Sequence, residues 1–136
     1  MRECVLDASV VLKWFQPEGE RDVDAARRLR SEFESGRLRA LAPALLWLEV
    51  LNVAARQWRW SPQDLEQLAQ TLPGLGIVLI DPELAAVARW AAHRLTAYDA
   101  AYVAVAEAAG VQLVTADKEL ASQAGELVIP LSPGAT

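Results

Sequence analysis

The chain has 136 residues, enough for one compact domain and too few for two. Hydrophobic residues make up 53% and charged ones 23%, which excludes a disordered chain, while one cysteine and one histidine exclude a disulfide framework, a structural zinc cluster and any mechanism needing two imidazoles. A formal net charge of −5 argues against passive coating of nucleic acid, which needs a basic surface, but leaves room for acids that hold cations against phosphate.

The N-terminus carries Arg2, Glu3 and Asp7, which does not fit a secretory signal. The longest charge-free run, 67–80, is broken by Pro73, Gly74 and Gly76 and is too short to span a bilayer. A single soluble, cytoplasmic domain over 1–136 is the expectation. In chain order, the pattern predicts a strand over 3–6 that ends at Asp7. A short helix follows from Ser9, carrying Val10, Val11, Trp14 and Phe15 and stopping before Pro17. A polar helix over 20–34 presents Val23, Ala26, Leu29 and Phe33 at helical spacing, with Gly36 beyond its end. A second strand covers 38–42, and a helix opens at Pro43 and runs to Trp58.

Ser61-Pro62-Gln63-Asp64 starts the next helix, with a capping serine, proline at the first helical position and an acid three residues after the cap. It ends near Leu72. A third strand covers 77–80, and Asp81-Pro82 is expected to cap a helix reaching Arg94. Another helix covers 96–109, closed by Gly110. A strand over 111–115, a short helix over 118–123 and a strand over 126–129 complete the chain. Short strands alternating with helices predict an α/β fold, a parallel sheet flanked by helices.

Four carboxylates occupy strand ends or apolar surroundings. Asp7 follows Cys4-Val5-Leu6, and Asp117 follows Leu113-Val114-Thr115, both at the carboxyl ends of strands, where open α/β sheets bind ligands. Asp117 would equally serve as the N-cap of the helix after it. Glu49 lies within Ala44–Val53, a run apolar nearly all round and expected to be buried, where an ionised carboxylate needs donors, a cation or an arginine such as Arg56. Asp99 completes a capping box with Thr96, yet opens the apolar stretch from Ala100 to Ala106. Converging carboxylates repel one another and therefore call in bound protons or a cation. Without His or Cys partners they suit hard cations such as Mg²⁺ or Mn²⁺, whose commonest chemistry is phosphoryl transfer.

Val5-Leu6-Asp7-Ala8-Ser9, Glu49 with Asn52 three residues on, Thr96-Ala97-Tyr98-Asp99-Ala100-Ala101-Tyr102, and Leu113-Val114-Thr115-Ala116-Asp117 together resemble the PIN domain. More narrowly, the chain resembles the VapC-type ribonuclease toxins of prokaryotic toxin–antitoxin pairs, in order and over essentially its whole length. The resemblance implies an α/β/α sandwich with a twisted parallel sheet of about five strands. It also implies a metal-dependent endoribonuclease using Mg²⁺ or Mn²⁺. Asp7 and Asp99 then correspond to the principal metal ligands, and Glu49 and Asp117 complete the acidic site directly or through water. Ser9 and Thr115 match hydroxyl-bearing positions that support it. Implied partners are an RNA substrate, a second copy of the chain in a homodimer, and a VapB-type antitoxin whose tail enters a groove beside the site.

Arg56, Trp58, Arg59 and Trp60 interleave cations with aromatic faces, a composition that suits RNA as well as a packed helix end. His93 lies near a helix end and needs no chemical role, and Cys4 reads as a small core residue. A haloacid-dehalogenase-type phosphatase would want a second Asp two residues after Asp7, where Ser9 stands. A receiver domain would want an acidic pair near the first strand. The alternatives that stay open are a stand-alone RNA-processing nuclease and a catalytically silent binding module.

Overall fold

The computed structural model describes residues 1–16 and 21–131. Its elements in order are β1 (Arg2–Leu6), α1 (Ala8–Phe15), α2 (Val23–Glu34), β2 (Leu38–Ala42), α3 (Leu45–Arg56), α4 (Pro62–Thr71), β3 (Val78–Leu79), α5 (Leu84–Ala91), α6 (Ala97–Ala109), β4 (Gln112–Thr115), α7 (Lys118–Gln123) and β5 (Val128–Pro130). The five strands form one sheet in the order β3-β2-β1-β4-β5, every pair parallel. β1 is central: Cys4, Val5 and Leu6 are buried, as a strand covered on both faces requires. Burial also pushes the Cys4 thiol up to about 11, which keeps it inert.

The chain steps outward from β1 to β2 and β3, then crosses back to β4 and β5 on the other side. Right-handed crossovers in opposite directions put α1 to α4 on one face and α5 to α7 on the other. The result is the α/β/α sandwich with a parallel five-stranded sheet. The direction reverses between β1 and β4, so the crevice at their carboxyl ends is the switch point of the sheet. α6 fills the second face: Ala100 to Ala106 are all buried, against the sheet and against α5. Among the described residues no helix is long and apolar enough to cross a membrane.

Local signals set most boundaries. Ser61 accepts from the Asp64 N–H at 3.1 Å and Thr96 from the Asp99 N–H at 3.0 Å, so both expected caps form. Gly110 closes α6 in the left-handed region (φ 69), where a Cβ would be strained.

Three elements differ from expectation. α2 begins at Val23, and the expected start at Glu20, like the stop at Pro17, lies outside the described residues. Asp81-Pro82 does not cap α5: Glu83 is still extended (φ −67, ψ 135), and the helix runs only from Leu84 to Ala91. Arg94 has φ 67, which no right-handed helix can include. α3 is not buried all round. It lies in an outer layer against α1 and α4, so it covers one stripe, Leu46, Val50 and Ala54, and leaves Leu48 70% exposed.

Candidate active site

Leu6 pairs with Val114 in the β1–β4 register, so Asp7 and Thr115 emerge side by side at the carboxyl edge. Asp7 is only 6% exposed. It starts α1 without capping it through its side chain; the carboxylate instead accepts from Ser9 Oγ and from Thr115 Oγ1, each at 2.5 Å. Both hydroxyls are in turn fixed by backbone donors. Ser9 Oγ accepts from the Ala116 N–H at 2.9 Å, and Thr115 Oγ1 accepts from the Asp117 N–H at 3.0 Å. The β4–α7 connection therefore aims two hydroxyl protons at one carboxylate, and the spacing of Asp7 to Ser9 and Thr115 to Asp117 is what permits it.

Glu49 reaches the same edge from α3. It does not pair with Arg56; its Oε1 accepts from the Tyr102 hydroxyl at 2.5 Å. Tyr102 stands three residues after Asp99, on the same face of α6. Asp99, half-buried in the first turn of α6, is the electrostatic hub. Its charge raises the proton affinity of both Asp7 and Glu49, and Asp117 and Glu119 act on Asp99 in the same sense.

Burial is the leading cause in every case. It pushes Asp7 up to about 6 against the lowering effect of the Ser9 and Thr115 hydroxyls, with the Asp99 charge adding to the rise. Glu49 is raised by burial and by Asp99, with the Tyr102 bond opposing. Asp99 is raised by burial and then by Asp117, with Thr96 opposing. The Tyr102 phenol is held well above its ordinary value by burial, by its bond to Glu49 and by the charges of Glu49, Asp7 and Asp99. Asp117 is exposed and caps α7, accepting from the Glu119 and Leu120 N–H groups at 2.9 and 3.3 Å.

The sequence profile of the PIN domain matches residues 4–126. The chain belongs to the PIN domain family. It is 34% identical to Ribonuclease VapC3 of Pyrobaculum aerophilum, over 94% of this chain and 99% of that protein. The crystal structure of PAE2754 from Pyrobaculum aerophilum superposes with a TM-score of 0.66 at 29% identity, covering 96% of this chain and 91% of that one. The kinship with a VapC ribonuclease is thus one of the whole fold and not of a shared motif.

In this PIN domain the four acids influence one another but do not close into a cage. Among the described residues no three Asp, Glu, His or Cys side chains form a ready-made metal-holding group. Each acid that comes to the edge has a local donor: hydroxyls for Asp7, a phenol for Glu49, the start of α7 for Asp117. Sequence reasoning missed two members of the cluster, Tyr102 and Glu119. A tyrosine in an otherwise apolar helix, whose hydroxyl needs a partner, was the available signal for the first.

The Trp58–Trp60 pair, 5.4 Å between ring centroids, lies elsewhere. Trp60 lines a cavity with Phe15, at the far end of α1 from Asp7 and so on the order of 12 Å along that helix. Beside the acids, a separate cavity of about 300 Å³ is lined by Leu45, Leu48, Glu49, Asn52 and Tyr98.

Proposed function

We propose that this PIN domain is a metal-dependent endoribonuclease of the VapC toxin type, controlled by a VapB-type antitoxin. The observation that carries this reading is the mutual electrostatic influence of Asp7, Glu49, Asp99 and Asp117, which four separate segments contribute. The end-to-end similarity to Ribonuclease VapC3 supports RNA as the substrate.

The donor set fits a hard divalent cation. It is made of carboxylates alone, and Mg²⁺ takes one or two protein carboxylates while water and substrate phosphate fill its remaining positions. Asp7 and Asp99 would hold Mg²⁺ or Mn²⁺, with Glu49 and Asp117 assisting directly or through water. Such an ion, when bound, activates water near neutral pH and neutralises charge developing on the phosphodiester. The chain's own residues supply placement. Ser9 and Thr115 fix both oxygens of Asp7, and the Thr96 cap sets Asp99 at the mouth of α6. Burial of Asp7 makes its charge costly in the absence of a cation, which favours cation uptake.

The cavity beside Glu49 has apolar walls and an acidic side chain, which suits an antitoxin segment carrying apolar and basic residues. Large apolar side chains left exposed, with Leu84 at 84%, Leu48 at 70% and Tyr98 at 65%, favour a homodimer. The tryptophans do not contribute to that argument, since all five are buried or half-buried.

The test is cleavage of total cellular RNA by the purified protein, freed of any antitoxin, with its oligomeric state read by light scattering on the same sample. Cleavage with Mg²⁺ or Mn²⁺ should disappear with EDTA. Asp99→Asn should lower it by about 100-fold or more, on the order of 3 kcal/mol, with an unchanged circular dichroism spectrum. Cleavage that survives both changes overturns the reading.

A further inference from the structure

We infer that Tyr102 is a positioning residue of the acidic site, acting through Glu49 by holding that carboxylate in place to receive a divalent cation. The inference rests on the metal-dependent reading above. Three observations support it. Tyr102 is 1% exposed, so its hydroxyl is fixed by packing on every side and cannot swing to another acceptor. Its donor bond to Glu49 Oε1, at 2.5 Å, joins α6 to α3 across the mouth of the crevice. α3 otherwise packs against α1 and α4, and its neighbouring side chains Leu48 and Asn52 face solvent.

Glu49 therefore has a choice that Asp7 lacks. Asp7 is enclosed, with donors on both oxygens. Glu49 is half-buried on a longer and more mobile side chain, it lines an open cavity, and the charge of Asp99 pushes against it. Repulsion and solvation both favour its departure from the acids toward water. The Tyr102 hydroxyl is the donor that opposes this. It engages Oε1 alone, which leaves Oε2 available for a cation or its water. Because the phenol is locked within α6 three residues from Asp99, one helix face sets both carboxylates relative to each other. A donor that orients a ligand in this way commonly changes metal affinity by 10- to 100-fold when removed.

The experiment is Mn²⁺ binding by calorimetry to the purified, EDTA-stripped and dialysed protein, for wild type, Tyr102→Phe, Glu49→Gln and the double variant. Urea unfolding without metal on the same four proteins reports any general damage. Tyr102→Phe should weaken Mn²⁺ binding by about 10-fold or more. The double variant should bind no more weakly than Glu49→Gln alone, because the two residues act as one unit. Unchanged Mn²⁺ affinity in Tyr102→Phe overturns the inference while leaving the metal reading intact. Additive losses overturn it too, since Tyr102 would then act by another route. A wild type that binds no Mn²⁺ overturns the metal reading and this inference with it. If Tyr102→Phe proves unstable, Tyr102→Met supplies a second apolar filling, and restored stability with affinity still lost keeps the expected result.

Discussion

The two ends of α1 bury polar atoms with opposite consequences. Near its carboxyl end, Trp14 is 9% exposed; its Nε1 donates to the Ala26 carbonyl at 2.9 Å and its ring stacks on Phe33 at 5.8 Å. The Arg30 guanidinium lies 5.9 Å from the ring centroid and donates to the Trp14 carbonyl at 2.9 Å. Everything buried there is neutral or shares its charge with solvent, so the contacts add stability. At the amino end Asp7 is as well hydrogen-bonded as Trp14, yet burial pushes its carboxyl up to about 6. Hydrogen bonds satisfy geometry at both ends, but they do not offset the desolvation of a charge held near other charges. One end of the helix stabilises the fold, and the other holds a group that the fold would prefer neutral.

Trp14→Ala should give the largest change in stability, a loss of about 3–5 kcal/mol in urea unfolding, from lost burial and the cavity left behind. A loss below about 1 kcal/mol would break the contrast from the packing side.

Asp7→Asn should move stability the other way. A raised folded-state value means that the stability contributed by protonated Asp7 is fully present below the unfolded value near 3.8 and is lost as pH rises through about 6. At pH 7.5 in EDTA the variant should therefore be more stable than wild type, by up to about 3 kcal/mol. That gain should shrink toward nothing at pH 4. Glu49 and Asp99 face Asp7 and are raised as well, so wild type should itself gain stability on moderate acidification. A variant less stable than wild type at pH 7.5 would remove the claimed cost of the buried charge.

The smallest effect belongs to Asp117→Ala. It removes the side-chain cap of α7, worth about 1 kcal/mol, and also removes a charge that disfavours ionised Asp99. The two act oppositely, so unfolding at pH 7.5 should show a net loss under about 1 kcal/mol. A larger loss would place Asp117 with Trp14 as a structural residue.

Much of this was legible because the signals are short-range. Serine or threonine followed three residues later by an acid fixes a helix start through bonds within one turn, as at Ser61 and Thr96. Asp81-Pro82 failed as a cap because the chain stays extended through Glu83, a choice that no local bond dictates. α3 was read as buried because its apolar residues run nearly round it, but apolarity sets only what a helix can bury, and its neighbours set how much.

The sequence by itself determined an α/β fold with strands ending in acids, because hydrophobic periodicity and turn residues act over a few positions. It also brought forward Asp7, Glu49, Asp99 and Asp117, because a charge amid apolar residues is conspicuous in one dimension. The tertiary structure alone decided that β1 lies beside β4, that Ser9 and Thr115 serve the same carboxylate, and that the Tyr102 hydroxyl finds Glu49 from 53 positions away. Those facts depend on which crossovers the packing permits, and the free energy that selects them comes from surfaces brought together across the whole chain.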